Sequence, residues 1–190
     1  MADVISFPDL AAAVRALPPS CGPVRVVAVD GPAGSGKTTF AGRLAGALGC
    51  RVVHADDFPV PWDEPPQAWF EQVEEQVLGP LSAGGPGGYR RYDWKRGAFA
   101  EWVEVPVAPV LVLEGVSTAR RGAPAAFAVW VEAPRDLRLA RVLARDGAAL
   151  EPRWHAWMRA EDEWFADDGT RSRADLLVDG AAVPGEFAVL

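Results

Sequence analysis

With 190 residues and 20.3 kDa, 49% of them hydrophobic, the chain is sized for one core and one domain, 1–190. A net charge of −7 and a pI near 4.9 exclude the broad basic surface of a non-specific nucleic-acid binder. Two cysteines, Cys21 and Cys50, are too few for a disulfide framework or a zinc cluster and read as free thiols of a reducing compartment. No apolar run approaches the roughly 20 residues of a membrane span. Asp3, Pro8, Asp9 and Arg15 interrupt the apolar stretch that a leader would need, so the expected setting is the cytoplasm, with no membrane or nucleic-acid partner.

Residues 6–17 carry a weak helical pattern ending at Pro18-Pro19, within an N-terminal extension over 1–20. "VRVVAVD" at 24–30 predicts a buried strand, 37–48 the helix after it, and "RVVHA" at 51–55 a second strand. A proline- and aromatic-rich run follows, then a helix-like stretch from Gln67 to Leu78. "SAGGPGG" at 82–88 is the strongest breaker and predicts a flexible loop. "APVLVLEG" at 108–115 and "FAVWVEA" at 127–133 read as buried strands. Helices from about Pro134 to Asp146 and from about Pro152 to Phe165, then a strand at 174–179, complete the order, with no internal repeat. Alternating strands and helices predict an α/β fold of three layers, a parallel sheet of about five strands with helices on both faces.

Three motifs should meet at the C-terminal edge of such a sheet. Gly31, Pro32, Ala33, Gly34, Ser35, Gly36, Lys37 and Thr38 fit G-x-x-x-x-G-K-[ST] between a strand and a helix, the phosphate-binding P-loop. Its backbone N–H groups turn toward phosphate oxygens, Lys37 reaches the terminal phosphates and Thr38 offers a hydroxyl to Mg²⁺. His54-Ala55-Asp56-Asp57-Phe58 ends the second strand, where a carboxylate can take a proton from an attacking hydroxyl, help hold Mg²⁺, or simply face solvent. Glu114 ends a hydrophobic strand, a place suited to an acid that serves a metal ion. On the helix after the fourth strand, Arg138, Arg141 and Arg145 form a stripe that either closes over a triphosphate or lies in solvent.

Taken in order, "GPAGSGKTT", "ADDF", "YDW", "LVLEG", "RDLRLARVLARD" and "RSRADLLVD" resemble the uridine kinase and phosphoribulokinase group of P-loop kinases, over residues 24 to 180. The resemblance implies ATP and Mg²⁺ as cofactors, with ATP on residues 31 to 39, Thr39 included. It implies Asp56 as catalytic base, with Lys37, Arg141 and Arg145 acting on the phosphates, and Thr38, Glu114 and Asp56 around the metal. It places acceptor binding on Asp57, Tyr92, Asp93 and Trp94, within a region of about 56–105, and a lid with its following helix at about 138–165. Pro59, and Lys95-Arg96-Gly97 after "YDW", depart from the pattern where a uridine kinase reads its base.

The expected activity is transfer of the γ-phosphoryl group of ATP to a hydroxyl of a small-molecule acceptor, nucleoside-like by the resemblance. The alternative is a nucleotide-binding regulator or slow ATPase. A guanine-reading N-K-x-D motif is ruled out because the chain has no asparagine. Trp62, Trp69, Trp94 and Trp102 fall in the acceptor region and suit stacking, with packing roles favoured for Trp69 and Trp102. Arg90, Arg91, Lys95 and Arg96 either welcome an anionic acceptor or balance nearby acids. Trp154, Trp157, Trp164 and Phe165 predict a seam against the sheet. The loop at 82–88 and the segment after Arg145 are expected to move on binding. Homo-oligomerisation stays open, and "GAAVPGEFAVL" at the C-terminus carries no functional signal.

Overall fold

A computed structural model describes residues 4–181 and 187–190. Helix α1 (Phe7–Ala16) starts at Ser6, whose hydroxyl accepts the Asp9 N–H, and stops before Pro18. Strand β1 (Arg25–Asp30) feeds the P-loop, which opens helix α2 (Lys37–Leu48); α2 ends at a left-handed Gly49 whose N–H closes on Ala45. Strand β2 (Val52–His54) leads into a tight turn, Ala55–Asp57. Next comes one winding segment made of α3 (Phe70–Val73), a π-helical turn (Glu74–Leu78) and α4 (Gly79–Ser82). Pro80 explains the widening: without an N–H it cannot bond back to Gln76, and the Gly79 N–H instead reaches Glu74.

Strands β3 (Gly87–Asp93) and β4 (Ala98–Val105) form a separate antiparallel hairpin. Strands β5 (Val110–Glu114) and β6 (Ala125–Glu132), helices α5 (Arg135–Asp146), α6 (Glu151–Asp168) and α7 (Thr170–Arg173), and strands β7 (Leu176–Asp179) and β8 (Ala188–Val189) complete the chain.

The main sheet runs β2-β5-β1-β6-β7-β8. Its first five strands are parallel, as the alternation predicts, and β8 joins antiparallel. Strand residues alternate between two cores: Val27, Val29, Val110 and Val112 pack against α1 and α2, while Val26, Leu111 and Leu113 pack against the α3–α4 segment. Both faces are covered, so β5 is buried throughout and reads as an unbroken apolar run.

The structure revises three expectations. The breaker at 82–88 is shorter than predicted, because Gly87 and Gly88 are buried and already belong to β3. The hairpin itself was not expected. The tryptophans of α6 form no single seam on the sheet: Trp154 and Trp157 pack edge-on against Trp62, 5.0 and 5.9 Å away, while Phe165 meets Trp130 of the sheet at 4.6 Å.

The predicted N-terminal extension is α1, with residues 1–3 outside the described range, as are 182–186 of the C-terminal stretch. Cys21 and Cys50 are free thiols. Among the described residues no helix is long and apolar enough to cross a membrane.

Candidate active site

The P-loop lies where β1 ends and α2 begins, pressed from outside by the helices of the expected lid. Gly34 has φ 77°, and a Cβ there would stand 2.5 Å from the Arg138 main-chain oxygen, so only glycine lets α5 come this close. Arg141 donates to the Gly34 oxygen at 3.1 Å and to the Gly180 oxygen at 3.0 Å, bridging the loop to the turn after β7. From α6, the fully buried Glu161 carboxylate accepts the Ala33 N–H at 3.0 and 3.2 Å and the Trp157 indole at 2.7 Å. Burial pushes the Glu161 carboxyl up, against the pull of Lys37 and these donors.

Inside the loop the buried Lys37 ammonium donates to the Pro32 oxygen at 3.0 Å. The Ser35 hydroxyl is buried with no hydrogen-bond partner among the described residues. Orphaned in a glycine-rich turn at a helix N-terminus, it fits a loop made to receive phosphate oxygens. Thr39, the third residue of α2, is exposed.

Glu114 closes the site from the neighbouring strand. Its Oε1 accepts the Thr38 hydroxyl at 3.2 Å and its Oε2 lies 2.7 Å from His54 Nδ1. Burial alone would raise its carboxyl, but the His54 hydrogen bond, Lys37 and Thr38 together hold it below its ordinary value. The same hydrogen bond raises the His54 imidazole in spite of burial. A threonine hydroxyl beside an ionised carboxylate is an oxygen pair that fits Mg²⁺, which completes its shell with water and phosphate oxygens. Among the described residues no cluster of three or more His, Cys, Asp or Glu side chains could hold a metal by itself.

Asp56 sits in the turn after β2, open to solvent on one side. Protein atoms around its carboxyl, then the Glu114 charge, push its pKa up, opposed by Arg145, Lys37 and His54. Trp94 donates its indole N–H to the Asp56 main-chain oxygen at 2.6 Å, so the hairpin touches the turn that carries the acid. Tyr92 packs edge-on to Trp94 at 5.0 Å.

The structure thus gathers Lys37, Thr38, Asp56 and Glu114, with Arg145 close enough to act on both carboxyls. Arg145 itself makes a two-pronged contact with Asp146 at 2.8 and 2.9 Å. The other predicted residues are occupied elsewhere. Asp57 accepts the Tyr89 hydroxyl at 2.6 Å and so anchors the hairpin, while Asp93 accepts the N–H groups of Lys95 and Arg96 and caps the hairpin turn. Arg138 is buried, donating to the Ala133 oxygen beside Glu161, and Arg141 grips main-chain oxygens. Trp69 is core, as favoured, but Trp102 is 63% exposed, against expectation.

Three polar groups escaped the sequence reading. His54 was visible beside the "ADDF" motif without a role. Glu161 stands among other acids on an exposed-looking helix, and nothing local marks it. Asp30, the last residue of β1, accepts the N–H groups of Gly31, Ser117 and Ala119 at 2.7, 2.9 and 2.8 Å, stitching the P-loop to the turn after β5. A charged residue closing a buried strand was its available signal.

No protein-family model and no curated protein matches the chain. Solved structures do. A candidate uridine kinase from Bacillus stearothermophilus superimposes with a TM-score of 0.64 at 21% identity, covering 90% of this chain and 96% of that one. A candidate fructose transport system kinase from Silicibacter sp. TM1040 gives 0.67 at 23%, covering 84% and 95%. The chain therefore has the α/β fold of the P-loop kinases. Of these two neighbours one is described as a candidate uridine kinase and the other as a candidate fructose transport system kinase, and the likeness to both is one of fold.

Proposed function

We propose that the protein is an ATP-dependent phosphotransferase that moves the γ-phosphoryl group to a hydroxyl of a small, nucleoside-like acceptor. The observation that carries this reading is the placement of Asp56: a solvent-open carboxyl at a strand end, within the electrostatic reach of Lys37 and Arg145 and beside the Thr38–Glu114 pair. A hydrolase needs only to admit water, whereas the aromatic hairpin resting on Asp56 favours an organic acceptor at that carboxyl.

In this reading the P-loop N–H groups and Lys37 hold the phosphates, and Asp56 takes the proton of the acceptor hydroxyl as its oxygen bonds to the γ-phosphorus. The bond from that phosphorus to the bridging oxygen breaks, and ADP leaves with the electron pair. A pKa above the ordinary carboxyl value suits a base that works near neutral pH. Arg145 shifts from Asp146 to the charge developing on the transferred group. Thr38 and Glu114 would hold Mg²⁺, which would supply neutralisation of the phosphate charge. His54 keeps the Glu114 carboxylate ionised and oriented.

The test is ADP release from Mg·ATP by the purified protein across nucleosides, sugars, phosphosugars and hydroxy acids, beside a reaction with no acceptor. Turnover that rises with one acceptor supports the kinase. ADP release that ignores every acceptor supports a regulator or slow ATPase in its place.

A further inference from the structure

A cavity of about 220 Å³ opens between the α3–π segment and the hairpin, lined by Phe58, Gln72, Gln76, Arg90, Phe99 and Trp102. Its walls depend on local irregularities. The π turn includes Gln76. On the hairpin, Arg90 pairs with Trp102 and Tyr92 with Phe99, so β4 holds one extra residue between these pairs. That bulge brings Phe99 and Trp102 to the same face as Arg90 and Tyr92. Gly88 makes room for Trp102: a Cβ there would fall 2.4 Å from the indole ring, which lies across the strand.

The chemistry of the lining is lopsided. Among the described residues Arg90 has no carboxylate partner, although its neighbour Arg91 is paired with Glu101 at 2.7 Å. An unpaired guanidinium at a cavity, in a chain of net charge −7, is a receptor for an anion. Two amides stand beside it. Phe99 and Trp102 remain 54% and 63% exposed, apolar surface that a ligand's ring or carbon body would cover.

The cavity also adjoins the site. Phe58 follows Asp56 by two residues, and the Phe99 ring is 5.4 Å from Tyr92, itself 5.0 Å from Trp94, which bonds to Asp56. The volume is below the roughly 300–1,000 Å³ of a pocket for a whole ligand, so it takes one end of a molecule.

We propose that this cavity is the distal subsite for the acceptor, and that the acceptor carries an anionic group, carboxylate or phosphate, bound by Arg90 beside Phe99 and Trp102. The proposal rests on the kinase reading, because it takes the other end of the same molecule to be the hydroxyl at Asp56, and it narrows the acceptor from a neutral nucleoside to a ring-bearing molecule with an anionic group.

Nitrogen-15 NMR of the full chain without nucleotide tests it, following the Trp102 indole signal during titration with benzoate, phenyl phosphate and benzyl alcohol. Saturable shifts with the two anions at millimolar concentration are expected, with benzyl alcohol about tenfold weaker. R90Q brings the anions down to the level of benzyl alcohol, while R91Q, outside the cavity, keeps the preference. The stronger of the two anions identifies carboxylate or phosphate as the natural group. Equal shifts with anions and alcohol, no shift with either anion, or an R90Q variant that keeps the anion preference each overturn the subsite. Because ATP is absent, anion binding by a protein that phosphorylates no alcohol would keep the anion site but sink the kinase reading and, with it, the assignment of that site to an acceptor, whereas acceptor-dependent turnover without anion binding would sink the subsite alone.

Discussion

The carboxylate of Glu161, in the middle of α6, accepts the main-chain N–H of Ala33 at 3.0 and 3.2 Å, so this helix holds the first half of the P-loop. Removing it strands the Ala33 N–H, the Trp157 indole and the Arg138 guanidinium in a buried space. E161A is expected to lose about 2–4 kcal/mol of stability and to raise KM for ATP about tenfold with a smaller change in kcat. E161Q retains an acceptor oxygen and recovers most of the ATP affinity. W157F removes a different donor to the same carboxylate and lowers stability without moving KM for ATP. Denaturant midpoints beside steady-state kinetics separate the outcomes; an unchanged KM in a destabilised E161A would reduce Glu161 to packing.

Asp56→Asn is expected to leave ATP affinity nearly unchanged and to slow phosphoryl transfer by about 10²–10⁴. Nucleotide affinity from calorimetry and single-turnover transfer rates read the two parts separately. Transfer at the wild-type rate would remove Asp56 from its role as base.

Arg141 and Arg145, both on α5, should part company. Arg141 is committed to the oxygens of Gly34 and Gly180, so R141A lowers the thermal midpoint and weakens ATP binding. Among the described residues Arg145 has polar or cation–π partners only in Asp146 and the face of Trp154, so R145A leaves the midpoint nearly unchanged and cuts kcat about a hundredfold. A thermal scan and kcat on each variant decide it, and matching behaviour of the two would contradict the division.

Asp30 gives a pH signature. Burial outweighs three backbone N–H bonds and the Lys37 charge and pushes its carboxyl up to about 7, from an ordinary value of 3.8. Between those values the folded chain keeps a proton that the unfolded chain has lost, so the Asp30 contribution falls as pH rises toward 7 and is level above it. D30N cannot titrate there and turns one acceptor into a donor facing an N–H. Its stability deficit is therefore largest near pH 4–5 and shrinks toward pH 7; urea midpoints across this range measure it. A deficit that stays level across this range would mean that Asp30 is already ionised well below neutrality.

Much of the sheet could be read from the sequence because its information is local. Lys37 and Thr38 stand in a spaced motif, and Glu114 ends a run whose apolarity reports burial on both faces. Partnerships between distant segments were not legible. Arg138, Arg141 and Arg145 share one helical stripe, yet one is buried beside Glu161, one grips the P-loop and one remains near Asp56. The hairpin escaped because much of it faces solvent and a bulge breaks its alternation, so neither period 2 nor an apolar run marks it. Trp102 reads as core by residue type, but Gly88 gives its ring a berth on the outside of a strand.

The short strand β8 covers one border of the main sheet. It lies antiparallel on β7, while the Ile5 N–H bonds to the Phe187 oxygen and the Phe187 ring meets Phe7 and Phe40 at 6.1 and 5.1 Å. β7 would otherwise present a row of unpaired amide and carbonyl groups, a template on which a second sheet could grow. The segment at 187–190 acts as a hem along that border, pinned by an aromatic cluster to the back of the P-loop helix. Loosening the pin, as in F187A, exposes the raw border, and the expected result is self-association that increases with protein concentration and temperature.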